Sequence, residues 1–333
     1  MEQNDYLNFK IPEEMKMEFD IQYLLLLQEL RNATGGIFDE FFNAISKFAV
    51  EILPFLTFVI FWGVNKKWGY YFLTTQWFGE VINGVIKLTV CAYRPWIRSD
   101  LIEPAGDSKV AATGYSFPSG HTKTASTVYG AVAIWQKDKR RWLSITCIVL
   151  ILLTGFSRNF LGVHTPQDVL CAMIESAVIL YVVYKVSEKA EGNERLLDIL
   201  TVIGLLFVIA SLVYIQVKPY PMDYDASGNL LVDPSKMMND CFKACGAFMG
   251  FLIGSFLERH YIHYRIPEGA SNLPILVCVG AALAITWKDH FASATVVAAF
   301  GGHWGNFIAR FIMLIFATCI WPIVIQKMAE SSN

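Results

Sequence analysis

Three separated stretches of this chain carry the residue types that phosphoryl transfer needs: Lys87-x6-Arg94-Pro95, Phe117-Pro118-Ser119-Gly120-His121 and Ser157-Arg158-x5-His164-x3-Asp168. Together they offer three cations, two histidines and a carboxylate. Arginine meets phosphate oxygens through a planar pair of donors, and lysine meets them as a point charge. Lys87, Arg94 and Arg158 are therefore the candidate phosphate ligands. Imidazole is neutral for much of the time near pH 7, so one ring nitrogen can attack phosphorus while the other holds its proton in a fixed hydrogen bond. His164 is the candidate nucleophile, and Asp168, four residues on, is spaced to accept that bond. An alkoxide leaving group needs a proton as its bond breaks, and His121 is the candidate acid, a role worth about 10² to 10⁴ in rate. With three fixed cations no metal or other cofactor is called for, and no acidic cluster suited to magnesium lies nearby.

These side chains can act together only if the elements that carry them end on one side of the molecule. Ser119 reads as a helix N-cap, and Gly120 after it would let an anion approach the backbone without a side chain in the way. Thr165-Pro166-Gln167-Asp168 is a second start signal, with Thr165 as N-cap and Pro166 at the first helical position. Helix N-termini suit anions, because their first N–H groups are unpaired and the macrodipole is positive there. Ser119 and Gly120 thus join the candidate phosphate-binding residues.

Composition sets the class of the scaffold. The chain is 54% hydrophobic and 17% charged, with a mean hydropathy of +0.42, which is too apolar for an ordinary soluble protein of 333 residues. A span needs about 20 apolar residues. Nine candidates lie near 42–63, 70–92, 120–136, 142–160, 167–186, 196–217, 238–258, 272–287 and 303–325. The expected fold is all-α, a polytopic transmembrane helical bundle. Phe19 to Arg31 is too short to cross and is expected to form an interfacial helix. Met1 to Glu18 is acidic and polar, without the apolar core of a cleavable signal peptide. Basic residues gather in every second loop, at Lys66 and Lys67, then Lys137 to Arg141, then Lys185, Lys189 and Arg195, then Arg259 and Arg265, then Lys327. Those loops are expected to face the cytoplasm, which puts the N-terminus and the three motifs outside and the C-terminus inside.

Each residue also has a plainer reading. Arg94 and Arg158 are of a kind that snorkels at helix ends, and Asp168 could serve only its own helix. Lys87 resists that reading, since a lysine inside an apolar span costs about 2.5 to 3.5 kcal/mol on the insertion scale and calls for a partner. Glu51, Glu80, Asn83, Glu175, Glu258 and Arg310 are expected to face the bundle interior. The seven cysteines fall in or beside apolar spans with no metal or redox spacing.

In their order and spacing the three stretches resemble the signature of the type 2 phosphatidic acid phosphatase superfamily, a group of membrane-embedded, metal-independent phosphatases. The resemblance is specific in residues 80–170 and thin elsewhere. It implies phosphate binding by Lys87, Arg94, Ser119, Gly120 and Arg158, a covalent nucleophile in His164 oriented by Asp168, and an acid in His121. The nine-span layout with an outside N-terminus looks more like glucose-6-phosphatase and the sphingosine-phosphate phosphatases. Three units are expected: an N-terminal segment over 1–40, a phosphatase core over 41–190 and a C-terminal bundle over 191–333 of unassigned role. The expected activity is hydrolysis of a phosphate monoester or diphosphate, most simply of a lipid drawn from the bilayer. A sugar phosphate is the competing substrate, and a non-catalytic lipid-phosphate binding or transport protein is the competing class. The bilayer is an expected partner and a nucleic acid is not; nothing sets an oligomeric state.

Overall fold

The computed structural model describes residues 18–112, 114–267 and 294–330. Among the described residues the chain is helical, with no strand and one isolated bridge between Tyr224 and Leu230. Helix α1 (Phe19–Ala33) is followed by α2 (Asp39–Glu51) and α3 (Leu53–Val59), which run on through a π-helical turn at Ile60–Val64. Helix α4 (Lys66–Val90) follows, then two short helices, α5 (Pro95–Arg98) and α6 (Ser108–Ala111). Long helices resume with α7 (Gly120–Gln136), α8 (Arg141–Phe160), α9 (Pro166–Ala190), α10 (Glu194–Val217) and α11 (Pro234–Leu257), the last extended by a π turn at Glu258–Ile262. After α12, described over residues 294–300, come α13 (Gly302–Ile315), a third π turn at Phe316–Ile320, and α14 (Trp321–Glu330).

Six continuous helical stretches, Asp39–Val64, Arg141–Phe160, Pro166–Ala190, Glu194–Val217, Pro234–Ile262 and Gly302–Glu330, are long and apolar enough to cross a membrane. Helices α4 and α7 occupy two further expected spans without meeting that measure: α7 is only 17 residues long, and both carry polar residues for a physical reason. Both are enclosed by other helices and bury polar side chains, Gln76 and Asn83 on α4 and Thr122, Lys123, Thr124 and Thr127 on α7. A helix shielded from lipid need not be apolar all round. The expected span at 272–287 lies outside the described residues.

Helix α11 is the centre of the second half. Of its most apolar window 67% is buried, against 22% for α10, so α10 is peripheral and turns Ile203, Leu206 and Ile209 outward. Gly246, Gly250 and Gly254 recur every four residues along one face of α11. A Cβ on any of them would overlap, in turn, the carbonyl of Phe307, the carbonyl of Phe311 or the hydroxyl of Thr318. Small residues at this spacing let α13 lie backbone to backbone on α11. On its other side α11 meets α4, where Phe78 and Phe248 stand 5.7 Å apart and Cys241 packs on Gly84.

Several polar residues expected inside the bundle are there, with partners the sequence did not reveal. Glu258 is fully buried and takes Lys66 at 2.6 Å, the backbone N–H of Tyr264 at 2.7 Å and the Tyr70 hydroxyl. Lys123, also fully buried, pairs with Glu80. Glu51 departs from expectation: it is exposed at the end of α2, on the rim of a cavity.

Helix α1 buries Ile21, Leu24 and Leu27 and leaves Phe19, Leu26 and Leu30 exposed. It is tied to the segment between the first two motifs. Asp20 pairs with Arg98 at 2.7 Å, and Arg31 donates to the carbonyls of Glu103 at 2.5 Å and Phe160 at 3.3 Å.

Candidate active site

The C-terminal ends of α4 and α8 and the N-terminal ends of α7 and α9 meet, as the positions of the motifs require. Their meeting is recorded in hydrogen bonds between the segments. The Ser119 N–H donates to the carbonyl of Asp168 at 3.0 Å, and Lys87 Nζ donates to the carbonyls of Tyr115, Ser116 and Pro118 at 3.2, 3.2 and 2.7 Å. Lysine has three protons to give, and here all three hold the second motif's loop against α4. That satisfies a cation whose burial would otherwise be costly.

Two local signals form as the sequence indicates. Ser119 caps α7, accepting from the Thr122 N–H at 3.4 Å and the Thr122 hydroxyl at 2.9 Å. Thr165 and Asp168 form a reciprocal capping box at the start of α9. The Asp168 carboxylate therefore has two tasks. Its Oδ2 accepts from the Thr165 N–H at 2.8 Å, and the same oxygen lies 3.2 Å from His164 Nδ1. Ser116 adds a third donor at 2.5 Å.

His164 is buried between opposite charges. On the side away from Asp168, its Nε2 lies 2.9 Å from Nη1 of Arg94. A guanidinium only donates, so Nε2 must carry a lone pair and Nδ1 the proton, which it gives to Asp168. Burial first, and the Arg94 charge second, hold this imidazole well below the usual histidine range, with Asp168 opposing both. The ring is thus neutral at pH 7 with its free electron pair on Nε2. Arg94 is fixed by the carbonyls of Gly114 at 3.1 Å and Val163 at 2.8 Å. Burial lowers its pKa to about 10, which leaves it charged at neutral pH.

Arg158 donates through Nη1 to Ser46 of α2 at 2.5 Å. Its Nε and Nη2 are buried and find no hydrogen-bond acceptor among the described residues. Unsatisfied buried donors are rare, and an oxyanion would satisfy these.

Gly120 and His121 open α7 and, with Lys87, line one end of a cavity of about 880 Å³. A Cβ added at Gly120 would find only Asn83 Oδ1, at 4.0 Å, so the backbone there is open to a ligand.

Three contributors were not foreseen, and a fourth, Asn83, was expected only to face the bundle interior. Ser116 stands immediately before the second motif and could have been noticed as a hydroxyl next to it. Asn159 follows Arg158 and donates to the carbonyl of His164 at 2.8 Å. Ser46 lies on a different span, and Asn83, bonded to Glu175 at 3.2 Å, carries no signal beyond its polarity.

The model of the PAP2 superfamily matches residues 68–191. Undecaprenyl-diphosphatase BcrC of Bacillus subtilis is 33% identical over 113 residues, 33% of this chain and 53% of that protein. An undecaprenyl-diphosphatase of Sulfolobus acidocaldarius is 27% identical over 132 residues, 39% of this chain and 61% of its own length. Lipid phosphate phosphatase delta of Arabidopsis thaliana is 24% identical over 180 residues, 50% of this chain and 42% of that protein. The chain thus spans roughly half of each of these relatives. No solved structure matches it. The segment that holds all three motifs and the His164–Asp168 pair, residues 68–191, is thus similar to the PAP2 superfamily.

Proposed function

We propose that this chain is an integral membrane phosphatase that hydrolyses a lipid phosphate monoester or diphosphate through a phosphohistidine. The observation that carries this reading is the imidazole of His164, neutral, protonated on Nδ1 toward Asp168 and presenting Nε2 to Arg94. In the first step Nε2 attacks phosphorus as the bond to the leaving oxygen breaks, and His121 gives that oxygen its proton. In the second, His121 takes a proton from water, whose oxygen displaces His164 and releases inorganic phosphate. Arg94, Arg158, Ser119 and the Gly120 backbone hold the phosphoryl oxygens, and Lys87, whose protons go to the loop carbonyls, adds its positive charge beside them. Such a set of fixed donors needs no metal ion.

A lipid is favoured over a sugar phosphate because the cavity beside Lys87, Gly120 and His121 is lined mainly by apolar surface. The relatives named above point the same way, being a lipid phosphate phosphatase and two undecaprenyl-diphosphatases. In our reading nine spans cross the bilayer. The site and N-terminus then lie on the extracytoplasmic face, with α1 resting on the surface through Phe19, Leu26 and Leu30.

The test is phosphate release by the full chain in detergent with EDTA, from phosphatidate, sphingosine phosphate, an isoprenyl diphosphate and glucose 6-phosphate, with His164→Ala as control. Release from a lipid that disappears in the variant supports the reading. Release from glucose 6-phosphate alone moves the substrate to the sugar class, and release that needs a metal overturns the three-cation mechanism.

A further inference from the structure

The stretch after α10 carries none of the three motifs, and α11 and α13 both lie outside the matched residues 68–191. Yet both helices line the cavity that starts at the candidate active site. On one side its wall is α2, α3, α4 and the first turns of α7; on the other it is α11, through Met237 and Ala244, and α13, through Arg310 and Met313. Along α4 the lining residues run from Lys87 back to Gln76. Eleven residues at 1.5 Å each make about 16 Å, roughly half of the 30 Å hydrocarbon core of a bilayer. The cavity is therefore a channel leading from the phosphate end of the bundle toward its middle.

Its chemistry changes along that path. Polar groups that face it are largely engaged already: Glu80 with Lys123, Gln76 and Thr124, Asp240 with Lys243 at 3.1 Å, and Asn83 with Glu175. Glu51 stands at the rim, Arg310 donates to Met313 Sδ at 3.6 Å, and the rest of the lining is mainly carbon and sulfur, from Phe55, Phe58, Trp77, Leu88, Met237 and Met313. Methionine adapts its shape to an irregular or flexible guest.

We infer that α11 and α13 form the far wall of a subsite for the hydrocarbon chain of the substrate, and that Ala244 and Met313 set how long a chain is accepted. This rests on the phosphatase reading above. The α11 glycines give it a structural basis, because they hold α13 against α11 and so fix where Met313 stands.

The experiment uses a series of n-alkyl phosphates from hexyl to hexadecyl, with the purified full chain as wild type, Ala244→Phe and Met313→Trp. The two substitutions narrow the same cavity from different helices, so misfolding of one leaves the other to decide. The readout is the ratio of kcat/KM for hexadecyl over hexyl phosphate, which does not depend on the folded fraction. A ratio lowered about tenfold in a variant, the scale of a few misplaced methylenes, supports the subsite. Wild-type ratios in the variants overturn it while leaving the phosphatase reading intact. Failure of the wild type to release phosphate from any chain length overturns that reading, and the subsite with it.

Discussion

Arg158 reaches from α8 to α2, where its Nη1 meets the hydroxyl of Ser46 at 2.5 Å. Ser46 precedes residues 68–191, so in the proposed mechanism α2, outside the matched segment, would help to aim a phosphate ligand. Ser46→Ala removes the acceptor without touching the arginine. A net hydrogen bond of about 1 kcal/mol translates into roughly a fivefold weaker competitive inhibition by orthovanadate, with little change in kcat. An unaltered inhibition constant would show that Arg158 is aimed by other contacts.

His164→Ala should abolish turnover, since no other side chain in the site offers a lone pair held in this way. Asp168→Asn keeps the shape but replaces an acceptor-only carboxylate with a neutral amide that can also donate, so the proton is no longer fixed on Nδ1. A loss of about 10⁴ in kcat is expected by analogy with the histidine–aspartate pair of a serine protease. Trapping phosphoenzyme from labelled substrate checks the nucleophile directly: label should be absent from the alanine variant.

His121→Ala should discriminate between leaving groups. Alkyl phosphates need a proton on departure and should slow by about 10² or more, whereas nitrophenyl phosphate, whose leaving group is acidic, should slow much less. Equal losses on the two substrates would remove His121 from the role of acid.

The acid limb of the pH profile follows from His164. Its pKa is lowered in the fold by burial and then by Arg94, and protonation destroys the nucleophile. Activity as kcat/KM should therefore hold as pH falls through 6.5, the unperturbed histidine value, and be lost only below it. Arg94→Gln removes a positive charge that lowers the pKa, so its acid limb should move to higher pH. A limb that stays in place would mean that burial alone sets the value.

Gly250→Leu tests the contact between α11 and α13. The added side chain would collide with the Phe311 carbonyl and Leu314, and overpacking of this kind costs about 1 to 3 kcal/mol. A clear fall in Tm in detergent is expected, read by loss of monodispersity on heating.

What could be read from the sequence was mostly local. Ser119 and Thr165 announce helix starts through their own neighbours, and the hydrogen bonds of both caps are in place. The spacing from His164 to Asp168 fixes their contact because the carboxylate sits on the first turn of the helix that the histidine precedes. The misses are long-range. Ser46 and Arg158 are 112 residues apart, and nothing in either neighbourhood names the other. Lys87 was legible as a cation in need of a partner, but not as one that spends all its donors on the loop before Gly120. Likewise α4 and α7 are weak as spans by hydropathy alone, since polar Gln76, Lys123 and Thr127 become acceptable only when neighbouring helices enclose them.

In the proposed mechanism the double duty of Asp168 Oδ2, which closes the capping box of α9 and accepts from His164 Nδ1, would join catalysis to the mechanics of the bilayer. A 25-residue helix is a stiff lever, and the carboxylate proposed to orient the nucleophile is part of its first turn. A bilayer whose thickness changes the tilt of α9 would turn that carboxylate, and the imidazole with it, relative to Arg94 on the neighbouring loop. Rate at this site would then report membrane thickness even where substrate, pH and sequence stay the same.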